Sequence, residues 1–229
     1  MALANIVGNL CAGYKQIEAG TMLHSDALQA ERIDNVSLRN ISFYTADGNI
    51  YYMKDGVPHL AMTREKDNPV LLHIDDAFDG LIKTGNYRPS REDVASALAS
   101  EHTIDIDLTS LHLQGNDAEW RYLSISPQEY NSLNAEKRKI AERVHGSGNA
   151  FARAMKMLAD AGIRETKIYV LNPEYVRENA KDAAIGRASW LNNIDFNSYF
   201  YADGRGINNG NRLRGVRRRA SVSEPVALQ

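Results

Sequence analysis

The chain has 229 residues, 43% of them hydrophobic, and a formal net charge of −2 at pH 7. That length suits one large domain or two small ones, the apolar share is enough for a sizeable core, and the near-neutral charge gives no general pull toward nucleic acid or acidic membranes. The lone cysteine, Cys11, excludes an intrachain disulfide framework and a multi-cysteine metal site. No apolar run approaches membrane-spanning length, and the opening MALANIVGNLCAGYKQ lacks the basic segment of a signal peptide. A soluble, cytoplasmic protein is the expectation, with delivery by another route left open.

Residues 1–40 carry no clear period, because small residues, Gly13 and Gly20 interrupt it; they are expected to pack on the main domain. Ile41 to Thr45 and Asn49 to Met53 read as a β-hairpin around Asp47-Gly48. Asp55-Gly56 makes a second turn into a strand at His59 to Thr63. Pro69 to Ile74 is a short apolar run, and Asp76 to Lys83 reads as a short helix. Ser90 and Asp93 have the spacing of a capping box ahead of Val94 to Leu98.

Trp120 to Ile125 alternates like a strand. Ser126-Pro127-Gln128-Glu129 has the form of a helix start, with Ser as N-cap, Pro at the first position and Glu at the third, and predicts a helix to about His145. After Gly146-Ser147-Gly148, a second helix is expected over Asn149 to Ala161, with Phe151, Met155 and Leu158 on one face and Gly162 beyond its end. Lys167 to Leu171 reads as a strand, and Asn172-Pro173 starts a short helix through Val176. The tail from Ser221 to Gln229 has no ordering signal. Early strands, two middle helices and late strands make an α+β chain.

The stretch from Trp190 to Arg212 differs from the rest. Six asparagines fall there: Asn192, Asn193, Asn197, Asn208, Asn209 and Asn211. Lys, Glu, Gln, Met and Trp are absent from Leu191 to Asn211, roughly a one-in-thirty event on composition alone. An asparagine codon randomised at its adenines yields Asn, Tyr, Asp, Ser, Gly, Ile and Phe, and never those five. An Asn/Gly-rich surface loop between two strands is the plain alternative.

This pattern resembles the variable region of the variable proteins made by diversity-generating retroelements, as in small-genome archaea and their viruses. Arg187-Ala188-Ser189-Trp190 resembles the strand with a core Trp that opens that region, and Arg212-Leu213-Arg214-Gly215-Val216-Arg217 the strand that closes it. The resemblance implies a C-type-lectin-like domain of the formylglycine-generating-enzyme type over 41–219, with first and last strands side by side, a variable region at about 190–212 and a loose tail at 220–229. It implies a binding protein rather than an enzyme, without cofactor, whose target is a macromolecule, in the first place a protein. The ligand-binding residues it implies are Asn192, Asn193, Asp195, Phe196, Asn197, Tyr199, Tyr201, Asp203, Asn208, Asn209 and Asn211. Tyr and Phe supply stiff contact area, and Asn, Asp, Ser and Gly adaptable hydrogen bonds, the chemistry of antibody paratopes. In a strand, Ser198, Phe200 and Ala202 fall on one side and Tyr199, Tyr201 and Asp203 on the other; the first set suits an inner face.

Other constellations are weaker. Gly146 to Asn149 has the composition of a phosphate loop, but a helix rather than a strand precedes it, so a helix-to-helix turn is the better reading. The six histidines show no metal-ligand spacing, and Asp75, Asp76, Asp105 and Asp107 lack the EF-hand pattern. Arg217-Arg218-Arg219 is a short basic cluster on a slightly acidic chain, which favours a solvated end over nucleic-acid binding. Two readings from other classes stay open: a small nucleotide-binding protein or enzyme using the Gly146–Asn149 turn, and a structural or adhesion component of a virus particle.

Overall fold

The computed structural model describes residues 43–64, 67–73, 87–160, 162–191, 199–203 and 212–213; of 43–46, 71, 188, 190–191, 199–203 and 212–213 it describes the backbone alone. The expected helix from Asp76 to Lys83, residues 1–40 and the tail lie outside these residues. Among the described residues eight strands form one sheet, in the order β3-β2-β1-β6-β7-β5-β4, with β8 also paired to β1. The strands are β1 (Phe43–Lys54), β2 (Val57–Arg64), β3 (Ile104–Asp107), β4 (Trp120–Ile125), β5 (Glu165–Leu171), β6 (Ile185–Leu191), β7 (Tyr199–Asp203) and β8 (Arg212–Leu213). The helices are α1 (Pro69–Leu72), α2 (Arg91–Ala99), α3 (Ala135–His145), α4 (Asn149–Asp160) and α5 (Pro173–Asn179).

Asp55 and Gly56 join β1 to β2 with both φ angles positive, 51° and 79°, the geometry a two-residue hairpin needs. The expected turn at Asp47-Gly48 is corrected: the chain runs straight through it as β1, with its register against β6 slipping between Tyr44 and Gly48. Gly48 answers a close approach instead. A Cβ there would lie 2.1 Å from Oδ1 of Asn68, the oxygen that caps α1 by accepting from the Val70 N–H at 3.1 Å. Asp47 is buried, and Nε of Arg64 donates to it at 3.3 Å.

The β1–β2 ribbon is covered on both sides. Tyr51, Leu60 and Met62 join a large core with Leu123, Ile125, Ile140, Val144, Phe151, Met155, Ile168 and Ile185. Ile50, Tyr52 and Ala61, one residue out of phase, form a second cluster with Ala97, against which Val94 and Leu98 of α2 pack. The period of two thus feeds two layers at once. The Ser90–Asp93 capping box is present in full at the start of α2. In α4 the spacing of Phe151, Ala154, Met155 and Leu158 buries one stripe. Gly162, at φ 77°, ends it: its N–H reaches the Ala159 carbonyl and that of Ile163 reaches Leu158, both at 2.9 Å.

The expected helix start at Ser126 is a second correction. The helix α3 begins at Ala135, where the side chain of Asn134 accepts from the Lys137 N–H at 2.9 Å. Residues 126–134 make turns and a short 3-10 segment, Tyr130–Ser132. Tertiary contacts hold this detour. Nε2 of Gln128 donates to the Ile163 carbonyl at 3.1 Å, and the ring of Tyr130 meets Phe151 edge-on with centroids 5.6 Å apart. Nη2 of Arg138 reaches back to the Tyr130 carbonyl at 3.2 Å.

Candidate functional site

The stretch singled out by its composition is carried by β6, β7 and β8. Pairing places their ends in one row: Arg212 of β8 lies beside Phe43 of β1, Phe43 beside Leu191 of β6, Leu191 beside Ala202 of β7, and Ala202 beside Ile168 of β5. Strands are about 4.8 Å apart, so the Leu191, Ala202 and Arg212 backbones fall within roughly 15 Å across the sheet. The expected neighbourhood of first and last strands is present, since β8 runs parallel to β1 along the edge that β2 leaves at Asp47.

Tyr199, Tyr201 and Asp203 have their backbones in β7. Asn192, Asn193, Asp195, Phe196, Asn197, Asn208, Asn209 and Asn211 lie outside the described residues. The row nevertheless fixes the attachments of both segments that hold them, 192–198 and 204–211. Along β7, Tyr199 and Tyr201 take the register positions beside Glu165 and Lys167, whereas Phe200 and Ala202 stand beside Thr166 and Ile168. Thr166 and Ile168 are buried, and Glu165 and Lys167 are half-buried. On that half-buried side the ammonium of Lys167 sits 4.7 Å from the ring centre of Tyr122, which in turn lies 5.5 Å from Tyr169.

The strand leading into the stretch is locked by its own residues. The N–H of Gly186 donates to the Tyr87 carbonyl at 2.9 Å, and a Cβ on Gly186 would come 2.6 Å from Cδ1 of Tyr87. Arg187 is buried and donates from Nη2 to Oε1 of Glu119 at 3.0 Å. Glu119 is placed by its backbone: its N–H bonds Oδ1 of Asp117 at 2.8 Å, and its carbonyl accepts from Asn172 at 2.7 Å. The Trp120 and Glu119 N–H groups hold the Asp117 carboxyl below the usual carboxylate range. Ser189 is buried as well. Trp190 pairs with Tyr44 and Asp203 through its backbone; its expected core role lies outside the described side chains.

The Gly146-Ser147-Gly148 segment joins two helices, with φ 92° at Gly146 and 53° at Gly148. The Ala150 and Phe151 N–H groups, which a phosphate would need, donate to the Ser147 carbonyl at 3.0 and 3.4 Å. Among the described residues no three of His, Cys, Asp and Glu gather in a way that could hold a metal ion. Among them too, no helix is long and apolar enough to cross a membrane. One feature had no motif to announce it: a hollow beside β4, taken up below, whose walls come from the consecutive segments between His112 and Lys137.

No family and no curated protein matches the sequence. A solved structure does match in shape, one described as "Accommodation of massive sequence variation in Nanoarchaeota by the C-type lectin fold". The TM-score is 0.56 at 13% sequence identity, and the match covers 86% of this chain and 85% of that one. Such low identity with such complete coverage is a statement about architecture: the chain has the C-type lectin fold, of α+β class.

Proposed function

We propose that this protein is a ligand-binding, non-enzymatic variable protein of a diversity-generating retroelement, its lectin domain of the formylglycine-generating-enzyme type. The diversified surface lies between β6 and β8. Its members are Asn192, Asn193, Asp195, Phe196, Asn197, Tyr199, Tyr201, Asp203, Asn208, Asn209 and Asn211, and its target is a macromolecule, in the first place a protein. The observation that carries the reading is the row Arg212–Phe43–Leu191–Ala202. It ties both ends of the compositionally biased stretch, and the strand in its middle, to adjacent positions of one sheet. A randomised surface needs that arrangement: contiguous attachments on a scaffold whose own residues stay constant.

The register of β7 supports it. Phe200 and Ala202 are in line with buried residues, and Tyr199 and Tyr201 with half-buried ones, so exchange at the tyrosine positions leaves the core side alone. The similar structure from Nanoarchaeota, described as accommodating massive sequence variation, points the same way.

Sequencing the neighbouring DNA tests the reading directly. The expected finding is a near-copy of the codons for residues 191–217 that differs only at adenines, beside a reverse-transcriptase gene. Sister genomes in which residues 191–211 vary no more than residues 120–171 would overturn it.

A further inference from the structure

The detour that delays α3 leaves a hollow of about 330 Å³ against the half-buried face of β4, lined among others by His112, Gln114, Ser124, Glu129, Leu133 and Lys137. The size is at the small end for ligand sites, which run from about 300 to 1,000 Å³, and suits a molecule the size of an amino acid rather than a nucleotide. The lining is polar, with one ammonium, one carboxylate, one imidazole, hydroxyls and amides around a single leucine. The Ser124 hydroxyl donates to Glu165, which leaves its oxygen able to accept.

Among the described residues, Lys137 and Glu129 make no ion pair or side-chain hydrogen bond with each other or with any other residue, unlike the charges around them. Lys139 pairs with Glu136 at 2.8 Å, Arg138 with Glu142 at 3.5 Å and Lys156 with Asp160 at 2.8 Å. Lys137 has no such option on its own helix, because the positions three and four residues away are Asn134, Leu133, Ile140 and Ala141. Opposite charges facing one hollow without touching are the complement of a molecule that carries both signs within a few ångström.

We propose that this hollow is a fixed binding site for a free amino acid, the ligand carboxylate meeting Lys137 and its ammonium meeting Glu129. The amide of Gln114 and the oxygen of Ser124 take the remaining hydrogen bonds. A peptide end fits less well, since it offers only one of the two charges. The site is separate from the diversified stretch and does not rest on its assignment, although Ser124 pairs with Lys167 and Lys167 with Tyr201. That places the hollow about two strand spacings, roughly 10 Å, from β7.

The test is an NMR titration of the full-length ¹⁵N-labelled protein with each of the common free amino acids at millimolar concentration. N-acetyl-leucine and leucine methyl ester, each lacking one charge, are the controls. The expected result is a saturable shift of the Gln114, Ser124 and Lys137 amides with at least one free amino acid. Lys137→Gln and Glu129→Gln should each weaken that binding about tenfold or more, as the loss of a charge-assisted hydrogen bond does. Glu129 is exposed and Lys137 half-buried, and an unchanged spectrum away from the hollow verifies that the variants fold. Absence of a saturable shift with every amino acid, equal binding of the singly charged controls, or wild-type binding by both variants would each overturn the proposal.

Discussion

Strands β6 and β7 pair with each other, Trp190 with Asp203 and Leu191 with Ala202, and each lies between two strands; what marks β6 is the set of side-chain contacts described at its start. The strand β6 depends on side chains. Gly186 is the residue that fits under Tyr87, Arg187 is the cation that meets Glu119, and Ser189 is buried. The strand β7 lies between two neighbours, antiparallel to β6 and parallel to β5, and main-chain hydrogen bonds on both edges do not depend on side-chain identity. On the proposed reading, a strand held by its main chain exchanges residues at alternate positions at small cost, whereas β6 is tied further by Gly186, Arg187 and Ser189. If the proposed function holds, this is the physical basis on which a constant scaffold borders a changeable surface.

The contrast can be broken by measurement. The largest effect is expected at Arg187: replacement by Met removes a buried charge-assisted hydrogen bond to Glu119 and should cost about 1.5–3 kcal/mol in denaturant unfolding. A wild-type midpoint would mean that β6 is held by its backbone alone. Gly186→Ala comes next. The new Cβ meets Tyr87 at 2.6 Å and Val70 at 3.2 Å, and overpacking of this kind costs about 1–3 kcal/mol. Restoration of stability in the double variant with Tyr87→Leu would locate the strain.

A smaller effect concerns acid. Burial alone would raise the Asp105 carboxyl, but hydrogen bonds from His59 and Lys54 and the charge of His59 outweigh it and hold it below its ordinary value. A carboxyl depressed in the folded state contributes stability that is full above its unfolded pKa, about 3.9, and is lost as pH falls through the lower folded value. Unfolding measured from neutral pH down to about pH 3 should therefore show a fall below about pH 4 that is shallower in Asp105→Asn. Equal slopes in the two proteins would remove Asp105 from the account. Because this group sits on β3, far along the sheet order from β7, Tyr201 variants should leave the slope unchanged.

The smallest effect is expected at β7 itself. On the proposed reading of β7 as carrying surface positions, Tyr199→Ala and Tyr201→Ala should each change stability by about 0.5 kcal/mol or less, while altering capture of a target. A loss at either tyrosine as large as that at Arg187 would place it among the scaffold residues and end the distinction between the two strands.

Two pairs of look-alike motifs show what a local sequence signal is worth. Ser90 with Asp93 and Ser126 with Glu129 both have the spacing of a helix cap, and only the first starts a helix there. Ser90 and Asp93 bond each other through Oδ2 of Asp93, and the contact of its Oδ1 with His73 leaves the cap in place. Next to Ser126, Gln128 is drawn to the Ile163 carbonyl and Tyr130 to Phe151, and Asn134 caps the helix instead. Asp55-Gly56 and Asp47-Gly48 are both turn dipeptides, and only the first turns. At Gly48 the missing side chain serves the approach of Asn68, a contact no local window contains.

The amino-acid sequence by itself therefore determined the elements whose hydrogen bonds and apolar stripes are local. These are α2, α4 with its glycine end, the β1–β2 turn, β4, β5 and the cap of α5, together with the compositional oddity of residues 191–211. Only the tertiary structure decided which strands become neighbours. The insertion of β7 between β6 and β5, the parallel placement of β8 on β1 and the hollow under the delayed α3 all join residues tens of positions apart. Such pairings are set by closing long loops around a shared core, and periodicity along the chain carries no record of which distant partner wins.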